Sequence, residues 1–220
     1  MERLPAMSIS RRWSPMADPR RALLGLAAAA CMGVAAPSVI AQEAAPAEEA
    51  AIPDNAEMAQ IYADDQAARM GGDIDWEVVR REDAARAART REMLDAGELR
   101  TGNDFWEAAF IFQHGGEAED YLLAHVMAVH AVSLGSERAR WIAAATLDRY
   151  LQETGQDQIY GTQFRPGPEG GLTMEPYDRE LLPDFIRERA RVPVLAEQEA
   201  QRLEMEAEMR AVMGTGTPAN

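Results

Sequence analysis

His114 is the residue best placed for proton chemistry. It closes an apolar run and stands directly before Gly115-Gly116. A helix C-terminus favours an imidazolium through the helix dipole, and the two glycines leave backbone open beside the ring, so His114 is a candidate general acid or base. The structural alternative is a ring that caps the last helical carbonyls. Asp148 is the carboxylate that packing explains least. On a helix it shares a side with Trp141, Ala144, Ala145 and Leu151. A carboxylate on an apolar side must be paired or hydrogen-bonded. Arg149, Arg69, His125 and His114 are partners of the right kind. The catalytic expectation is His114 as acid or base with Asp148 orienting it, and the structural one is an ion pair fixing helix register.

The other polar residues are less specific. His125 lies between Tyr121 and Val129 and points inward. His130 sits roughly 140° around the same helix, so the two do not chelate one ion at the usual spacing. No metal is expected at the site, and no cofactor motif is found. Gly161-Thr162-Gln163-Phe164 offers uncharged donors and acceptors on an irregular backbone, a pattern that often lines sites. It lacks the spacing of a phosphate loop, and the chain has no lysine to complete one. No serine stands in a Gly-x-Ser-x-Gly turn, and the single cysteine is Cys31. Familiar covalent hydrolase chemistry is therefore disfavoured.

The elements that must carry these residues are helical. Periodicity predicts a helix from Glu57 to Gly71-Gly72 and a second capped by Asp75 and ended by Gly97. A third runs from an Asp104 cap to His114. Residues 117–134 are apolar nearly all round, which predicts a buried helix. Ala124, Ala128 and Ala131 form its small-residue seam. Ser136 is expected to cap the next helix, 137–154, as the partner in an antiparallel hairpin. Proline and glycine between 160 and 176 predict a short irregular or β-hairpin insert. A short helix over 184–191 and a charged one over 194–213 follow. The fold class is all-α: a compact helical domain over 57–197, with a charged C-terminal helix and tail over 198–220.

Residues 1–41 read as a secretory signal peptide. Arg11, Arg12, Arg20 and Arg21 precede an apolar run, and Val39-Ile40-Ala41 supplies the cleavage pattern. An uncleaved anchor and a lipoprotein acylated at Cys31 are the alternatives. Residues 42–56, nearly all Ala, Glu and Pro, are expected to be a disordered linker. A periplasmic or secreted location is expected, with no membrane span after cleavage. The 220 residues carry 37 acids against 22 bases, all arginine, for a net charge of −15. This acidity disfavours nucleic acid as a partner and suits a basic protein partner.

The same residues carry a family resemblance. Asp65-Gln66-x-x-Arg69, Asp83-x-x-Arg86, Gln113-His114-Gly115, Asp148-Arg149 and Gly161-Thr162-Gln163-Phe164 occur in that order, with Asp104, Ala108 and Ala109 among them and Arg187 after them. The set resembles a bacterial family known only as a domain of unknown function, number 6624, over residues 57–197. The resemblance implies a shared fold and no reaction, substrate or cofactor. It sharpens one expectation: Asp65, Arg69, Gln113, His114, His125, Asp148, Arg149 and Gln163 converge on one cleft or polar network. The sequence thus supports three readings: a binding or interaction module first, then a hydrolase- or lyase-type enzyme using His114 with Asp148. The third is a structural protein that self-associates through the C-terminal helix.

Overall fold

A computed structural model describes residues 52–70, 74–168 and 171–214. The expected leader, most of the linker and the tail from 215 lie outside the described residues. Helices dominate: α1 (Ala56–Ala67), α2 (Trp76–Asp95), α3 (Gly102–Phe112), α4 (Ala118–Ser133) and α5 (Ala139–Glu153). An irregular stretch follows, with the two-residue antiparallel strands β1 (Arg165–Pro166) and β2 (Leu172–Thr173). Helices α6 (Asp184–Arg189) and α7 (Leu195–Gly214) come last. No helix among the described residues is long and apolar enough to cross a membrane.

Local chemistry sets the boundaries. Asn55 caps α1 and Asp75 caps α2, each accepting from two backbone N–H groups. The last described part of the expected linker is ordered by α3: Asn55 N–H donates to Asp104 Oδ1 at 2.7 Å, and Asp54 accepts from Thr101 and Asn103. Asp104 does not cap α3. Thr101 does, and Asp104 reaches back to the Thr101 N–H to complete a capping box. Nor does the Ser136 side chain cap α5, which begins at Ala139, whose N–H donates to the Ser136 carbonyl.

The core lies between α3, α4 and α5, where Ala108, Ala109, Ala124, Ala128, Ala131 and Ala145 are buried. Facing alanines let the helix backbones approach closely, and Phe105, Ile111, Phe112 and Ile142 fill the remaining space. The outer face of α4 is not buried. Leu122, Val126 and Val129, one face at i, i+4 and i+7, are 41–49 % exposed. An all-round apolar pattern cannot separate a helix enclosed on every side from one with an uncovered apolar face.

The segment after α5 is held by polar side chains rather than by a sheet. Gln158, fully buried, accepts from Gln163 N–H at 3.0 Å and donates to the carbonyls of Gln163 and Met174. Arg187, also fully buried, donates to Tyr177 Oη and to the carbonyls of Leu182 and Arg179. Gln198 joins α7 to this group by accepting from Tyr177 Oη at 2.9 Å and donating to Tyr160 O at 2.7 Å. Arg202, one turn on, donates to Leu172 O in β2.

Gly161 sits where these meet. Its φ is +81°, and a Cβ there would lie 2.3 Å from Gln198 Oε1 and 2.6 Å from Tyr177 Oη. Gly161→Ala is expected to cost about 2 kcal/mol through strain and displacement of Gln198. A denaturant titration checks this, and a midpoint equal to wild type would contradict it.

Candidate active site

His114 and Asp65 form the centre of the site. Asp65 is on α1, 1 % exposed, and its Oδ1 lies 3.0 Å from His114 Nδ1. His114 is half-buried just past the end of α3. Asp65 Oδ1 also accepts from Arg69 Nη1 at 2.8 Å, and Oδ2 accepts from Gln66 Nε2 at 2.8 Å. Arg69 in turn donates to Asp83 Oδ2 at 2.7 Å, and Asp83 Oδ1 accepts from Arg86 at 2.9 Å. Burial raises the pKa of the Asp65 carboxyl, but its bonds to His114, Arg69 and Gln66 together outweigh burial and hold it below the usual carboxylate range. An ionised Asp65 only accepts, so Nδ1 of His114 carries the proton in this pair and Nε2 of the neutral ring keeps its lone pair.

Asp148 is elsewhere, and the expected His114–Asp148 pairing does not form. Asp148 is fully buried, and both its oxygens are taken by the loop after α5. Oδ1 accepts from the N–H groups of Ile159 and Tyr160 at 2.8 and 3.0 Å. Oδ2 accepts from Thr162 N–H at 3.0 Å and Thr162 Oγ1 at 2.8 Å. The expected ion pair fixing helix register does not form either: among the described residues no arginine or histidine pairs with Asp148. The cost of burying this charge is met by four donors aimed at it.

The expected convergence is therefore divided. Asp65, Arg69 and His114 make one group. Asp148, Arg149 and Gln163 make another, linked by the Gln163–Thr162 bond at 3.0 Å and the Arg149–Gln163 bond at 3.0 Å. The main chain joins the two, because Arg149 Nη1 donates to the carbonyl of Gln113 at 2.9 Å and Gln113 precedes His114. His125 belongs to neither. Its Nδ1 meets the Ala143 carbonyl at 2.9 Å, a helix-tying contact.

Asp65, Asp83 and His114 present ligand atoms within 4.8 Å of one another. Arg69 already bridges the two carboxylates, so a guanidinium supplies the positive charge that a metal ion would bring.

Asp83 is the acid of this group that the sequence pattern did not single out as a site residue, and Glu107, two turns before His114 on α3, is a further buried acid outside the group. Glu107 carries the signal that singled out Asp148, a carboxylate set among apolar residues, here Trp106, Ala108 and Ala109. It is 5 % exposed, with Asn103 Nδ2 donating to Oε1 at 3.1 Å and no partner for Oε2 among the described residues. Burial pushes its carboxyl up to about 7. Arg138 and the Asn103 bond lower it in part, while Asp104 and Asp54 raise it further.

Folded Glu107 thus keeps its proton to about pH 7 and unfolded Glu107 loses it near 4.5. The folded chain binds more protons in that interval, so this contribution is complete below it and is lost as pH rises through 7. The loss is on the order of 3 kcal/mol. Glu107→Gln is expected to melt like wild type at pH 4 and above wild type at pH 8. Equal melting at both would contradict this.

Comparisons with protein-family models, curated proteins and solved structures return no match.

Proposed function

We propose that this chain is an enzyme of hydrolase or lyase type in which His114 moves the proton and Asp65 orients it. The observation that carries this reading is the bond from His114 Nδ1 to a buried, multiply bonded carboxylate. A carboxylate on one ring nitrogen fixes the tautomer and turns the other nitrogen into a positioned base. Asp65 is itself held by Arg69 and Gln66, so it cannot rotate away from the ring without breaking two bonds. A histidine serving only as a helix cap would bond the last carbonyls of α3 instead. The role given to Asp148 in the sequence argument passes to Asp65, and Asp148 becomes the anchor of the loop that carries Gln163. The setting is an exported bacterial protein of the family with number 6624.

The test is a panel of small esters, amides, phosphoesters and β-eliminating acids assayed with wild type and His114→Gln. Turnover that falls by roughly 10²- to 10⁴-fold in the variant supports the reading. Turnover that the substitution leaves unchanged overturns it.

A binding module is the second reading, favoured by the exposed apolar face of α4. An apolar stripe of Leu122, Val126 and Val129 is a surface that partner helices cover. Under this reading, acidic substitutions on that stripe abolish partner binding and His114→Gln leaves it intact.

A further inference from the structure

The inward-facing arginines of this chain hold carboxylates. Arg69 holds Asp65 and Asp83, Arg86 holds Asp83 and Glu82, and Arg202 holds Glu199 and Glu206. Even fully buried Arg187 has Asp184 at 3.3 Å. Arg149 is half-buried and has no carboxylate in salt-bridge range among the described residues. With 37 acids in the chain, this is not for want of partners.

A guanidinium stays charged at physiological pH, so Arg149 cannot neutralise itself. Its two protein contacts are to uncharged acceptors: Nε donates to Gln163 Oε1 at 3.0 Å, and Nη1 donates to the Gln113 carbonyl at 2.9 Å. These bonds fix the plane of the group without discharging it. A guanidinium has five N–H donors, and those on Nη2 meet no acceptor among the described residues. The Tyr121 ring centre lies 6.0 Å from Cζ and walls one side. Burial lowers the pKa of this guanidinium, the mark of a charge without a counter-ion.

We propose that Arg149 is the anion-recognition residue of the site, receiving a carboxylate or phosphate group of the ligand on which His114 acts. The shared chemistry is an oxyanion accepting from a pre-oriented guanidinium fork. The Gln113 carbonyl that helps to orient the fork belongs to the residue before His114, so Arg149 is tied to the backbone that leads into the base. Only the identity of the group attached to the anion rests on the His114 reading; the Arg149 contact stands alone.

The test uses the full chain, with the Arg149 Nε–H signal followed by NMR during titration with inorganic phosphate and, separately, malonate. Chloride at matched ionic strength is the control. One of the two oxyanions is expected to shift the signal saturably, and the one that saturates first names the group. Arg149→Lys, which keeps the charge and loses the fork, is expected to bind it roughly tenfold more weakly or worse. Gln163→Glu places a carboxylate on Arg149 in position and is expected to weaken the anion by a similar factor, which covers the case of an unfolded lysine variant. An unmoved Arg149 signal at millimolar oxyanion, or an equal response to chloride, overturns the proposal. Unchanged affinity in a folded Arg149→Lys variant does the same. His114→Gln should leave the anion affinity intact, so loss of the His114 reading and loss of this one give different results.

Discussion

His114→Gln is expected to remove turnover, by roughly 10²- to 10⁴-fold, while leaving the fold in place. Both halves follow from the same contacts. The substitution deletes the only ring that Asp65 orients, so no group is left to accept a proton at that point. Asp65 keeps Arg69 and Gln66, so its charge stays compensated and the stability cost is that of one hydrogen bond, about 1 kcal/mol. A parallel loss of activity and of melting temperature would instead mark His114 as a structural cap. Asp65→Asn is a poorer probe of chemistry, because it strips a buried carboxylate from Arg69 and destabilises the chain for that reason alone.

Asp148→Asn is expected to be among the most damaging conservative changes to stability, at about 2–3 kcal/mol. Asp148 accepts from three backbone N–H groups and one hydroxyl. An asparagine offers one oxygen to these donors and turns an amide N–H₂ toward the rest; the Thr162 hydroxyl can reverse and accept from that amide, but at least the Thr162 N–H loses its acceptor and faces another donor. The loss is local first. Amide exchange at Ile159, Tyr160 and Thr162 should accelerate before the helices melt. Gln163 and Arg149 should then lose their fixed positions, because Thr162 Oγ1 holds both Asp148 and Gln163. Thermal melts and hydrogen exchange check this together, and wild-type protection at those three amides would contradict it.

Helix content and most helix ends were legible in the sequence because they are local. Asp75 caps, Gly97 and Gly155 at positive φ stop, and the alanine seam packs, all within a few residues. Periodicity also showed that Asp148 faces inward. It did not show what Asp148 meets, because any donor satisfies a buried carboxylate and backbone N–H groups have no signature in a side-chain pattern. The Asp65–His114 pair was hidden for a related reason. Its members lie 49 residues apart, and facing is a property of one helix whereas pairing depends on how two helices dock. Gln158 and Tyr177 were missed because irregular backbone has no period to place its side chains, although a glutamine two residues before Tyr160-Gly161 was a usable cue; Gln198 lies on α7, where a strongly charged, weakly amphipathic pattern does not mark the side that is buried. Leu122, Val126 and Val129 show the converse: apolar character predicted burial that neighbouring elements do not supply.

The most direct measurement of the Asp65–His114 pair is the tautomer of His114, read from long-range ¹H–¹⁵N correlations of the wild-type chain at pH 8. Three histidines make assignment simple, and His125, whose Nδ1 must donate to the Ala143 carbonyl, is an internal reference for a protonated Nδ1. His114 is expected to match it, with the proton on Nδ1 and a bare Nε2. A proton on Nε2 with Nδ1 unprotonated would mean that Asp65 does not hold the ring, and the proposed base would be lost with it.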